Sequence, residues 1–141
     1  MPNTPPEEPL RSILDEIASG LRVRAASEAA DWRAAAFTRH GAPRFVPRLR
    51  LWCFTDTDAL PITPDGPVPA FRALHLLQID RHEAGQEGWL SIVVTVRRDD
   101  PGWTWDLDQN DVTRWRVDPE DRLRARSVLQ DALAGRTGQD T

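Results

Sequence analysis

The stretch Gly85–Asp111, GQEGWLSIVVTVRRDDPGWTWDLDQND, decides how the rest of the chain is read. Leu90, Ile92, Val94 and Val96 alternate with Ser91, Val93, Thr95 and Arg97, a period of two rich in β-branched residues. Asp100-Pro101-Gly102 offers a turn, with proline pre-setting φ and glycine tolerating positive φ. Trp103, Trp105 and Leu107 then alternate with Thr104, Asp106 and Asp108, which describes a returning strand with one aromatic and one acidic face. The pattern predicts a β-hairpin at the centre of a sheet.

Working outward on the N-terminal side, Leu10, Ile13, Leu14, Ile17 and Leu21 fall on one face of a helix that begins at Pro9. Ser19-Gly20 is its expected stop. Residues 25–39 read either way. Their alanines favour helix, yet Trp32, Ala34, Ala36 and Thr38 alternate with Arg33, Ala35, Phe37 and Arg39. A strand is the preferred reading, because His40-Gly41-Ala42-Pro43 looks like a hairpin connection to the alternating segment RFVPRLRLWCFT. Residues 55–69 hold four prolines and a glycine and predict a loop. Phe71, Leu74, Leu77 and Gln78 mark a second helix ending near Gly85.

On the C-terminal side, Asp118-Pro119-Glu120-Asp121 predicts a helix start, with Asp118 as N-cap and acids in the first turn. Gly135 is its expected end. The sum is an α+β domain: a four-stranded, mainly antiparallel sheet with helices packed on one face, in the order α-β-β-α-β-β-α. Residues 1–8 read as a disordered lead-in, 9–135 as one domain, and 136–141 as a flexible tail.

Composition restricts the function classes. The 141 residues suit one domain with a real core. No apolar run approaches the roughly 20 residues of a membrane helix, and MPNTPPEEP is no signal peptide, so a cytoplasmic protein is expected. A single cysteine, Cys53, excludes an intrachain disulfide and a multi-cysteine zinc site. The chain has no lysine, and its net charge is −4. Eight acidic residues between Asp99 and Asp121 face only Arg114 and Arg116, so that window carries −6. Such a window repels nucleic acid and attracts basic partners.

The chemistry of a catalyst is hard to assemble. Cys53 lies in an alternating strand and reads as a small buried hydrophobe. His40, His75 and His82 accompany no nucleophile elbow, although His75 and His82 are spaced to share a helix face. Asp106-Leu107-Asp108-Gln109-Asn110 begins like a calcium loop, but Asp111 stands where glycine is needed and Val117 where a bidentate Glu belongs. No catalytic, cofactor or metal residue is therefore assigned. Six tryptophans exceed what sheet packing requires, and Trp and Arg anchor protein interfaces. The expected partner-binding residues are Asp99, Asp100, Trp103, Trp105, Asp106, Asp108, Asp111 and Trp115.

Gly85, Gln86, Glu87 and Trp89, the strand through Ser91 and Thr95, and the acidic end Asp106, Asp108 and Asp111 together resemble the YezG-like immunity proteins. The resemblance implies a small cytosolic antitoxin, without catalytic residues, that neutralises the toxin domain of a secreted polymorphic toxin, often a nuclease. On that reading the acidic and aromatic face binds a basic toxin, and reversing Asp106 and Asp108 to Arg slows association without unfolding the protein. A general protein-interaction or secretion-partner domain is the second reading. A small metal-dependent enzyme built on Asp106, Asp108 and Asp111 with His75 or His82 is the third.

Overall fold

A computed structural model describes residues 6–63, 69–86 and 88–134. Five strands form one antiparallel sheet: β1 (Ala34–His40), β2 (Arg48–Phe54), β3 (Ala59–Ile62), β4 (Ser91–Arg97) and β5 (Asp100–Asp108). Their spatial order is β3-β2-β1-β4-β5. The helices are α1 (Leu10–Glu28), α2 (Pro69–Glu83), α3 (Arg122–Val128) and α4 (Gln130–Leu133), with a 3-10 turn at Pro119–Asp121. The α+β class and the antiparallel sheet agree with the sequence reading, while the number of strands and the arrangement of helices need correction.

The fifth strand, β3, forms inside the expected loop. Leu51 pairs with Ile62 and Phe54 with Ala59, with Pro61 opposite Trp52. Pro61 is tolerated because β3 is an edge strand, where one row of backbone groups has no neighbour to bond. Residues 64–68 of that loop lie outside the described residues. β1, and not the 90–108 hairpin, is the middle strand, and β5 is the opposite edge.

Three boundaries moved. α1 runs through Ser19-Gly20 to Glu28, because Leu21 and Ala25 continue its buried stripe, and core burial outweighs one glycine. The ambiguous 25–39 segment therefore divides into the last turn of α1, a short connection and β1. The β4–β5 tip is Arg98-Asp99, ahead of Asp100-Pro101-Gly102, with a register shift between Val96 and Arg97 that brings Arg97 opposite Asp100. Of the expected lead-in, residues 6–8 belong to the fold. Pro6 is buried, the Glu7 carbonyl accepts from Arg11 N–H at 3.2 Å, and Glu8 accepts from the Ser12 hydroxyl at 2.6 Å. Residues 1–5, Gly135 and the tail 136–141 lie outside the described residues.

Both faces of the sheet are covered, where helices on one face had been expected. α1 and α2 pack on the face carrying Phe37, Cys53, Ile92, Val94 and Trp105. The C-terminal segment packs on the other, where Ala36, Trp52, Phe54 and Val93 meet Trp115, Val117, Ala125 and Leu129. Sequence alternation explains the division. On β4, Ile92, Val94 and Val96 point one way and Ser91, Val93 and Thr95 the other, and all six are buried. The polar ones earn that burial through hydrogen bonds. The Thr95 and Thr104 hydroxyls touch each other, and each lies 3.1 Å from the Ala132 carbonyl. Arg97 Nε donates to the Leu133 carbonyl at 2.8 Å. Carbonyls at the end of α4 thus find donors on the sheet, which holds this short helix down.

Candidate partner-binding surface

The eight expected binding residues are not one surface. Trp105 and Trp115 are buried, at 7% and 5% exposure. Trp105 lies opposite Val94 on the α1 side, whereas Trp115 belongs to the core under the C-terminal helices, with the Arg114 guanidinium 4.4 Å from its ring centroid. Asp106 is 1% exposed, pairs with Arg114 at 3.2 Å, and accepts the Leu107 N–H at 2.8 Å. Asp108 is partly buried. Its carboxylate accepts the N–H groups of Asn110 and Asp111 and meets Arg114 at 3.4 Å. Those two backbone donors, followed by Arg114, hold its carboxyl below the usual range. Asp111 accepts from the backbone and hydroxyl of Thr113, both at 2.8 Å.

The acidic half of the window is therefore structural. Arg114 bridges Asp106 and Asp108, and Asp118 lies 3.5 Å from Arg50 and 3.6 Å from Arg116. Asp118 precedes the 3-10 turn as expected, but its side chain makes no cap and turns to these arginines. Formal charge along the sequence overstated the field, because Arg50 from a distant strand joins the neutralisation.

What stays outward lies at the other end of β5. Asp99, Asp100, Pro101 and Gly102 are exposed and Trp103 is half-buried. The chain holds this tip by its carbonyls. Arg22 donates to the Arg97, Asp100 and Gly102 carbonyls at 2.8, 2.5 and 2.6 Å, and Arg98 donates to the Ala30 carbonyl at 2.6 Å. The guanidinium groups are thereby occupied by backbone oxygen. Asp100 spends one carboxylate oxygen on the Gly102 N–H at 2.8 Å, and Asp99 stands in solvent.

Beside the tip, between the first turns of α1 and β5, a groove of about 550 Å³ is lined by Trp103 and Trp105, by Pro101 and Gly102, and by Glu8, Arg11, Ser12 and Asp15. Trp103 Nε1 donates to Asp15 at 3.0 Å, which fixes the indole in its position on the groove wall. Glu8 lies 3.9 Å from Arg11. Arg11 and Asp15 lie off the apolar stripe of α1. Nothing in the local sequence places Asp15 against Trp103, 88 residues away; that proximity follows from helix–sheet packing.

The catalytic candidates are dispersed. Cys53 is fully buried, with Sγ 3.9 Å from the Ala25 carbonyl. Burial, then Glu28 and Asp31, push its thiol up to about 11, so it is a neutral thiol at physiological pH. His75 and His82 stand in different surroundings. His82 is exposed, while His75 Nδ1 sits 2.6 Å from Arg39 Nη2 and must accept from it, which places the ring proton of neutral His75 on Nε2. Burial and the neighbouring Arg39 charge both lower the His75 pKa. His40 is buried on β1 and lowered to about 4, first by burial.

Arg39 was not singled out by its sequence position. It is fully buried on β1, with Nη1 2.7 Å from Gln78 Oε1, and burial lowers it to about 10. Gln78 Nε2 in turn donates to the Gly41 and Trp89 carbonyls at 2.8 and 2.6 Å. This network ties α2 to the sheet and explains why a glutamine belonged on the inner face of that helix. Glu87, part of the resemblance to the immunity proteins, lies outside the described residues; Gly85 has φ +70° just past the end of α2, and Trp89 is buried in the core. Among the described residues no group of three His, Cys, Asp or Glu side chains is placed to hold a metal, and no helix is long and apolar enough to cross a membrane. The chain matches no protein-family model and no curated protein.

Proposed function

We propose that this protein is a non-enzymatic immunity protein that captures a basic toxin domain at the groove between α1 and β5. The observation that carries the reading is Trp103. It stands half-exposed on the wall of a 550 Å³ groove with Glu8 and Asp15 beside it, and with Asp99 and Asp100 exposed at the adjoining tip. A large aromatic anchor flanked by four carboxylates, with Arg11 the one cation among the described residues lining the groove, suits a partner that offers arginine or lysine around an apolar side chain. The proposed contact set is thus narrower than the sequence window. It keeps Asp99, Asp100 and Trp103, adds Glu8 and Asp15, and gives Asp106, Asp108 and Trp115 structural work.

Coexpression with the toxin domain encoded by a neighbouring gene tests the reading. The wild-type chain should protect the cell and copurify with the toxin. Asp99→Arg combined with Asp15→Arg should slow association and steepen the loss of protection, because rim charges act chiefly on the encounter rate. Trp103→Ala should speed dissociation. Full protection by a folded triple variant would refute the site. The second reading, a general interaction domain for another basic protein, uses the same groove and is favoured by binding without any protection.

A further inference from the structure

The loop joining β1 and β2, residues 41–47, presents Phe45 at 71% exposure and Val46 at 90%. Arg44 and Arg48 beside them are also exposed, and neither has a carboxylate partner among the described residues. This exposure does not come from a loose loop base. Gly41 N–H donates to the Leu90 carbonyl at 2.9 Å, the Gly41 carbonyl accepts from Gln78 at 2.8 Å, and Phe45 N–H donates to the Ala42 carbonyl at 3.1 Å. At Gly41, φ is +146°, and a Cβ there would meet the Pro47 backbone at 3.2 Å, so the glycine permits the tight closure. A firmly based loop therefore carries an apolar tip between two cations.

The groove beside Trp103 has the complementary chemistry. Its apolar walls are Trp103, Trp105 and Pro101, its carboxylates are Glu8 and Asp15, with Arg11 the one cation of the described lining at 3.9 Å from Glu8, and its volume is about 550 Å³. The loop cannot enter the groove of its own chain. It leaves the sheet at His40, level with Ser91 and Asp108, whereas Trp103 lies at the far end of β5. Five residues along a strand are about 17 Å, too far for a seven-residue loop held at both Gly41 and Phe45.

We propose that the Arg44–Arg48 loop of one copy docks into the Trp103 groove of a second copy. Phe45 fills the space against the tryptophans, and Arg44 and Arg48 meet Glu8 and Asp15. The contact joins two different surfaces, so each copy keeps one free loop and one free groove, and association continues head to tail. It uses the groove assigned above to a toxin, but it requires no external partner.

Sedimentation equilibrium of the full chain tests this, from micromolar to millimolar protein at low salt. The weight-average mass should rise from one chain to beyond two, and the rise should shrink at high salt, as screening predicts. Phe45→Ser should weaken association by about tenfold or more, the scale of a lost aromatic anchor. Asp15→Arg on the groove wall should do the same, and circular dichroism checks that both variants stay folded. An equimolar mixture of the two variants leaves one intact loop and one intact groove, and should form dimers and nothing larger. A wild-type chain that stays monomeric throughout would overturn the proposal. So would undiminished association of Phe45→Ser, or a mixture that remains monomeric. Because only the mass of this chain is read, the outcome is independent of whether a toxin is captured.

Discussion

Asp106→Arg is the substitution for which linear charge pattern and three-dimensional structure give opposite answers. The charge pattern makes Asp106 a surface carboxylate whose reversal leaves the fold intact. In the structure it is 1% exposed, pairs with Arg114 at 3.2 Å, and accepts the Leu107 N–H. Removing one partner of a buried pair costs about 3–5 kcal/mol. The Arg114 side chain is 37% exposed, so losing Asp106 leaves a partly solvated cation, whereas Arg114→Ala takes this cation from a carboxylate that is 1% exposed and should cost about 3–5 kcal/mol. Asp106→Asn keeps an acceptor for Leu107 and should cost about 1–2 kcal/mol. Asp106→Arg loses the pair and the acceptor and sets a second guanidinium against Arg114, so at least about 4 kcal/mol is expected. Against a total stability of about 5–15 kcal/mol, the urea midpoint should fall by about a quarter to four-fifths. Asp99→Arg is the control and should stay within about 0.5 kcal/mol of wild type. Urea unfolding followed by tryptophan fluorescence measures all four. An Asp106→Arg protein with the wild-type midpoint and slope would refute the buried pairing.

Val94 is fully buried between Phe37 and Trp105, so Val94→Asp should leave an unpaired charge in the core and yield insoluble protein, read as the soluble fraction on expression. Cys53→Ala should lower the melting temperature while leaving partner capture unchanged, and the native thiol should react with thiol reagents only as fast as the protein unfolds. His40 should confer acid sensitivity. Its folded pKa of about 4 lies below the ordinary 6.5, so the unfolded chain binds the proton first and stability falls as pH drops from 6.5 to 4. The loss is about 3 kcal/mol if His40 acts alone; His75, also lowered, adds in the same direction. His40→Gln should flatten the fall in urea midpoint over that range.

Local pattern exposed the elements, and tertiary pairing rearranged their meaning. The alternation of residues 91–97 and the i, i+3, i+4 spacing in α1 each have a single backbone solution, so β4 and α1 were legible. The end of α1 was not, because whether Gly20 stops a helix depends on what Leu21 and Ala25 can bury beyond it. β3 was hidden by Pro61, since only an edge position excuses proline and edge position is a property of the sheet. Alternation along β2 puts Trp52 on the side opposite Leu51 and Cys53, but the helices covering it come from about 70 residues later. The same gap explains the binding residues. Asp106 and Asp108 alternate with Trp105 and Leu107 as expected, yet only the return of Arg114 beneath them converts an acidic face into a buried clasp.

Covering both faces of a five-stranded sheet has a consequence for where binding can occur. α1 and α2 close one face, and the segment from Trp115 to Leu133 closes the other with its carbonyls fastened to Thr95, Thr104 and Arg97. A partner cannot reach the broad surfaces of the sheet without displacing packed helices. Recognition is left to the rim, where the β4–β5 tip, the groove against α1 and the β1–β2 loop remain open. Each of these is held in place: Arg22 clamps the carbonyls of the tip from behind, the Asp15 carboxylate braces the Trp103 indole, and the Gly41 carbonyl anchors the loop to Gln78. Backbone fixed in this way, and the braced Trp103 indole, lose little further freedom when a partner arrives, which lowers the entropic cost of association. The rim thus combines opposite charges at two separate positions, Glu8, Asp15, Asp99 and Asp100 outnumbering Arg11 around the groove at one and Arg44 and Arg48 at the other. On the two proposals above, a basic toxin segment and the basic loop of a second copy compete for the same groove, so adding the toxin should release self-association at high concentration.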